Sequence, residues 1–133
     1  MVALPLTSHQ ANPGDSVYDL VIIGGGPGGY AAALYAHNFG LSVALVEKDL
    51  VGGACLHRGC VPTKAWLETA EVFAAVEAAG EFGVLAAPPG LDWSRARARK
   101  GRIVSQLHRG LGGLLRQRGN RGQRAGKVFA IGG

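Results

Sequence analysis

The sequence predicts an α/β fold built on a βαβ unit with a parallel sheet, and three observations carry that expectation. An apolar, β-rich run, Tyr18-Asp19-Leu20-Val21-Ile22-Ile23, ends at a row of glycines. Gly24, Gly26 and Gly29 in that row satisfy G-x-G-x-x-G and lead directly into an alanine-rich stretch. A second apolar run, Leu41 to Glu47, follows at the distance one crossover helix requires.

Taken in order, residues 1–16, "MVALPLTSHQANPGDS", hold no basic stretch ahead of an apolar one and read as a flexible tail, not an export signal. The run from Tyr18 to Ile23 has no polar alternation after Asp19, the pattern of a strand buried on both faces of a parallel sheet. From Gly28 to Phe39 the alanines favour helix, and Gly40 stands where a helix C-cap belongs. "LSVALVE" from Leu41 is the second strand. Lys64 to Ala79 reads as an alanine-rich helix, and "GEFGVLAAPPGLDW" after it as strand and turns. A last helix is expected from about Asp92 to Gln117, with Ile103, Leu107, Leu111 and Leu114 at helical spacing and an Arg/Lys-rich outer face, although Gly110, Gly112 and Gly113 oppose it. "GNRGQRAGK" has no periodicity, and "VFAIGG" reads as one more buried strand.

With 133 residues, 47% hydrophobic and 17% charged, the chain has a globular composition and length for one domain. Its net charge of +5 is unevenly spread: three Lys/Arg face nine Asp/Glu through residue 92, and eleven Lys/Arg with no acid follow. No aromatic residue is interleaved with Arg95 to Arg124, so the basic half reads as a solvated helix face whose acidic partners lie elsewhere, and not as a nucleic-acid surface. No apolar run approaches the ~20 residues of a membrane span. The expectation is a cytoplasmic protein without nucleic-acid or membrane partners.

The glycine motif gains its meaning from its context. The first glycine permits a tight turn, the second lets a pyrophosphate approach the backbone, and the third lets helix and strand pack closely. The helix N-terminus offers unpaired N–H groups to phosphate. Glu47 closes the second strand roughly 20 residues on, where an acid that binds a ribose belongs. No G-K-[ST] follows, which disfavours a nucleoside triphosphate, and the carboxylate at 47 disfavours a 2′-phosphate.

The only two cysteines stand in Gly52-Gly53-Ala54-Cys55-Leu56-His57-Arg58-Gly59-Cys60-Val61-Pro62-Thr63-Lys64. In a continuous α-helix Cys55 and Cys60 lie ~140° apart around the axis and ~7.5 Å along it, beyond reach of each other. A disulfide between them requires a distorted segment, which Gly59 and Pro62 permit. Arg58, Lys64 and a helix beginning after the pair favour thiolate. Zinc ligation by Cys55, His57 and Cys60 and two unrelated core thiols are the competing readings; the first supplies only three ligands.

An FAD-type fingerprint followed at this distance by C-x-x-x-x-C-x-P-x-K resembles the FAD-dependent pyridine nucleotide–disulfide oxidoreductases, and within them the dihydrolipoamide dehydrogenases. The likeness covers residues 18–73 and extends more weakly to about 119. It implies a Rossmann-like FAD-binding unit, incomplete relative to the full family fold. It implies that Cys55 and Cys60 form a redox disulfide, Cys55 exchanging with the substrate and Cys60 facing the flavin, with Lys64 near the flavin's reactive edge. Gly24, Gly26 and Gly29 then take the pyrophosphate and Glu47 the ribose, with Lys48 and Gly53 beside the cofactor.

The implied reaction passes electrons from a lipoyl-bearing substrate, or another small disulfide or dithiol, through the disulfide and FAD to NAD. His57-Arg58 stands where many members have Asn-Val, which tilts the reading away from glutathione and mercuric reductases. Ala54 replaces a common threonine. The family's catalytic histidine lies in a dimerisation segment that nothing here matches, so His57 is not read as the base. The expected division is a tail over 1–16, a partial FAD-binding domain with the redox motif over 17–119, and an irregular basic tail over 120–133 that ends in a strand. NAD and homodimerisation belong to family domains for which 133 residues leave no room. An N-terminal fragment, a truncated or frame-shifted product, a non-catalytic FAD module and a basic surface-binding protein stay open.

Overall fold

The computed structural model describes residues 18–119 and 128–130. The expected N-terminal tail and most of the basic tail lie outside the described residues. The elements are β1 (Leu20–Ile23), α1 (Pro27–Asn38), β2 (Val43–Glu47), α2 (Gly53–His57), α3 (Cys60–Glu77), a 3₁₀ turn (Ala79–Phe82), α4 (Trp93–Gly119) and β3 (Val128–Ala130). The strands form one sheet in the order β1-β2-β3, and both pairings are parallel. The βαβ unit is therefore present, with α1 as its crossover.

Register is pinned where the two strands begin. Asp19 Oδ2 accepts from the Ser42 N–H at 2.7 Å and from its hydroxyl at 2.6 Å, while Ser42 Oγ accepts from the Asp19 N–H at 3.0 Å. Leu20 then pairs with Val43 and Ile23 with Val46. At the other end of α1 the Leu41 N–H donates to Ala36 and the Gly40 N–H to His37, with Gly40 at φ +78°, so the C-cap glycine ends the helix by a Schellman motif.

The core lies between this sheet and α1. Ala33 and Ala36 pack on Val43 and Leu45, with Leu20, Ile22, Tyr30 and Leu115 around them. Small side chains on the inner face of α1 let the helix approach the sheet closely. β1 departs from the reading of a strand buried on both faces: Leu20 and Ile22 are half-buried, while Val21 and Ile23 are 57% and 87% exposed. Among the described residues β1 is an edge strand, and α1 and Leu115 pack on one of its faces.

Three further expectations are corrected. Residues 84–92 form no strand; Leu85 is fully exposed, no described strand lies beside it, and Pro88-Pro89 remove two backbone donors. The helix expected from Lys64 starts at Cys60 and ends at Glu77. α4 runs unbroken through Gly110, Gly112 and Gly113, but Leu107 and Leu114 are exposed, and the inward stripe is Ile103, Val104, His108, Leu111 and Leu115. Packing against α3 and α2 selects this stripe, one step round the helix from the one the leucines suggest.

α3 and α4 are joined by a polar contact that ties the basic half to an acid of the preceding half. The Arg99 guanidinium donates to the Ala65 carbonyl at 3.2 Å and pairs with Glu68. Trp66 and Trp93 meet with ring centroids 5.9 Å apart. α4 begins at an aspartate cap, where Asp92 Oδ1 accepts the Arg95 N–H at 3.0 Å. Replacing Asp92 by Ala should lower stability by about 1 kcal/mol in urea unfolding, and Asp92→Asn by much less.

Candidate functional site

The carboxyl ends of β1 and β2 carry the candidate site. Gly24 leaves β1 at φ +100°, and its N–H still donates to Val46 at 2.7 Å. A Cβ on Gly29 would lie 1.8 Å from the Gly24 carbonyl oxygen, so the third glycine lets α1 start against the strand. Gly26 differs from both: its φ is −70° and a Cβ there would meet nothing within 4 Å. The space over Gly26 is thus open, at the end of α1 where Gly28 and Gly29 have N–H groups without intrahelical partners. Such a cradle fits a phosphate group.

Glu47 is the only buried charged side chain among the described residues, at 9% exposure. Its Oε2 accepts the Gly25 N–H at 2.7 Å and its Oε1 the Asp49 N–H at 2.8 Å. These donors, Gly25 first, hold the carboxyl below its ordinary value of 4.5 against the opposing effect of burial. Each carboxylate oxygen keeps a further lone pair for a hydroxyl donor. Lys48 beside it is exposed.

The cysteine segment leans on this turn. The Gly52 N–H donates to the Gly25 carbonyl at 2.8 Å, and a Cβ on Gly53 would come within 2.9 Å of Gly26 Cα. Cys55 lies in the middle of α2 and Cys60 is the first residue of α3. Arg58 and Gly59 break the helix between them, and the Thr63 N–H bonds to the Gly59 carbonyl to start α3. The two cysteines are bonded to each other with their Cα atoms 4.7 Å apart, so the distortion read at Gly59 is present. With the sulfurs joined, they are not free to act as thiolate ligands to zinc.

Cys60 is exposed and Cys55 half-buried. Lys64, also exposed, is one turn beyond Cys60 on the same face of α3. Arg58 points its charge elsewhere, to Asp49 at 2.6 Å. The helix expected after the pair begins at Cys60 itself, so its N-terminal N–H groups favour a thiolate there more than at Cys55. A cleft of about 490 Å³ reaches Cys55 between Pro27 and Tyr30 of α1 and Leu107 and Gly110 of α4.

Sequence reasoning missed Gly25, Gly52 and His108. Gly25 carries a signal in its place inside the glycine row, opposite the end of β2. His108 has none, because only the fold brings α4 to α2.

The family described as pyridine nucleotide-disulphide oxidoreductase matches residues 18–131. A dihydrolipoyl dehydrogenase of Acholeplasma laidlawii is 48% identical over 103 residues, 77% of this chain and 31% of that protein. One from Bacillus subtilis is 45% identical over 100 residues, 75% of this chain and 21% of that protein. Among solved structures, the HOCl-induced flavoprotein disulfide reductase RclA from Escherichia coli aligns with a TM-score of 0.64 at 27% identity, over 85% of this chain and 21% of that one. The chain spans less than a third of these proteins. Among the described residues no helix is long and apolar enough to cross a membrane, and no three His, Cys, Asp or Glu side chains gather to hold a metal.

Two outcomes are expected. Gly29→Ala should destabilise the fold by about 1–3 kcal/mol or prevent folding, since backbone must move to admit the methyl group. Folding favours the ionised Glu47, so its contribution is complete above pH ~4.5 and is lost as pH falls through the lowered native value. Glu47→Gln should therefore cost about 1–3 kcal/mol at pH 7, and the gap to wild type should narrow in urea unfolding below pH ~4.

Proposed function

Because the chain belongs to the pyridine nucleotide-disulphide oxidoreductase family, we propose that residues 18–119 are the FAD-binding, disulfide-bearing part of a dihydrolipoyl dehydrogenase. The observation that carries the reading is the junction of two sites: the Cys55–Cys60 disulfide stands on a segment that touches the glycine turn at Gly25 and Gly26. A redox disulfide needs an acceptor within touch, and the open cradle over Gly26 fits the pyrophosphate of a dinucleotide. FAD, when bound, supplies the two-electron acceptor.

The chain's own residues divide the remaining work. Gly24, Gly26 and Gly29 with the first turn of α1 bind the pyrophosphate, Glu47 accepts from a ribose hydroxyl, and Gly53 keeps the α2 segment low enough to leave room. Lys48 adds positive charge at the rim. Cys55 is the sulfur a dihydrolipoyl thiolate attacks, since the cleft between α1 and α4 leads to it. Cys60 leaves as thiolate at the N-terminus of α3, with the Lys64 ammonium one turn away. Hydride transfer to NAD is proposed for a protein of the relatives' length, not for these residues alone.

The 133-residue chain reconstituted with FAD should remain yellow after gel filtration, and Gly26→Val should emerge folded but colourless. The Cβ added at residue 26 meets nothing of the protein within 4 Å, so the side chain grows from open space towards the room a ligand would fill. Equal colour in the variant would remove the dinucleotide assignment. Thiol titration should find two more thiols per chain after reduction, and Cys55→Ser or Cys60→Ser should abolish that difference.

A further inference from the structure

Two histidines beside the disulfide play no part in this chemistry. The His57 Nε2–H donates to the Val51 carbonyl oxygen at 3.0 Å, and the His108 Nδ1–H donates to the same oxygen at 3.2 Å. A carbonyl only accepts and has two lone pairs, so it satisfies both rings and selects the tautomer of each when neutral. The rings meet edge to face with centroids 5.1 Å apart. His57 lies inside the short loop that Cys55–Cys60 closes, whereas His108 is in the middle of α4. Val51 is thus fastened to α4 from one side and to α2 from the other.

The arrangement matters because α2 cannot hold itself. It has five residues, far below the ~12–15 at which an isolated helix is even marginal. While the disulfide is closed, a covalent bond ties α2 to α3. When it opens, the ties left include buried Leu56, the Gly52 to Gly25 bond, the exposed Arg58–Asp49 pair and the two imidazoles on Val51. An exposed ion pair contributes little.

We propose that His57 and His108 are positioning residues that keep α2 in register while the disulfide is open, so that the Cys55 and Cys60 thiols stay within bonding reach of each other. The inference rests on the reading that this pair cycles between disulfide and dithiol. In the closed state the clasp is redundant with the covalent tie. In the open state it excludes frayed arrangements and raises the effective concentration of one thiol at the other, which favours reclosure. Removing the clasp lets the open state spread over more conformations, so the disulfide becomes easier to reduce.

The test is a redox titration of the full chain with dithiothreitol. A dithiothreitol thiolate attacks one sulfur of Cys55–Cys60, and its second thiol then releases the mixed disulfide. The protein pair gains two electrons and two protons, and dithiothreitol becomes its cyclic disulfide. Half-reduction of His57→Leu and His108→Leu should need roughly threefold to tenfold less reduced over oxidised dithiothreitol than wild type, tenfold being ~30 mV for this couple.

Asn places an N–H where His Nδ1 has one, and Gln where Nε2 has one. His108→Asn and His57→Gln should therefore return towards the wild-type ratio. In the reduced Leu variants the Leu56 and Arg58 amides should exchange faster, with little change in the oxidised ones. Equal midpoints in all five chains, or Asn and Gln variants no better than Leu, would overturn the clasp alone. A pair that dithiothreitol cannot open in wild type would overturn the redox reading and the clasp with it.

Discussion

The buried contact between the Glu47 carboxylate and the Gly25 N–H is the constraint from which the rest of the site is built. It joins the end of β2 to the turn after β1 at the point where the parallel ladder has run out. A charge at 9% exposure is tolerable only because two backbone N–H groups solvate it. The same contact leaves little room at residue 25, where a Cβ would lie 3.1 Å from Glu47 Cβ. With Gly25 held, its carbonyl is aimed to accept from Gly52, and the cysteine segment takes its position from that bond.

Close backbone approach recurs through the site and explains where its glycines fall. Gly29 brings α1 onto β1, and Gly53 brings the α2 segment onto Gly26. Each removes a side chain where two backbones must nearly touch, and the space over Gly26 stays open. The disulfide then bridges α2 and α3 across a helix break. Its sulfurs are unlike: Cys55 is reached through a cleft, and Cys60 lies at a helix N-terminus beside Lys64.

The sheet offers more apolar surface than the described elements cover. Val21 and Ile23 of β1, together with Tyr35 and Phe39 of α1, are exposed. A continuous apolar strand encodes cover on both faces, as parallel sheets require. The relatives are more than three times as long as the stretch matched here, and a sheet face written for cover is in keeping with that relation.

The sequence by itself determined the elements whose signals are local. A β-rich run ending in Gly24, a helix stopped by Gly40, a second strand ending in Glu47 and a cysteine spacing broken at Gly59 all depend on neighbours within a few residues. Those constraints are steric and conformational, and the chain states them directly. The lone apolar pair Val84-Leu85 misled because a strand exists only with a partner beside it. Leu107 and Leu114 misled because periodicity identifies an apolar stripe without identifying the surface that will cover it. Only the tertiary structure decided that Glu47 would hold Gly25, that Arg99 would reach Ala65 and Glu68, and that His57 and His108 would meet on Val51. Apart from the local reach of His57 to Val51, these contacts join residues 22 to 57 positions apart, and their energies depend on burial and direction, which come into being when the helices pack.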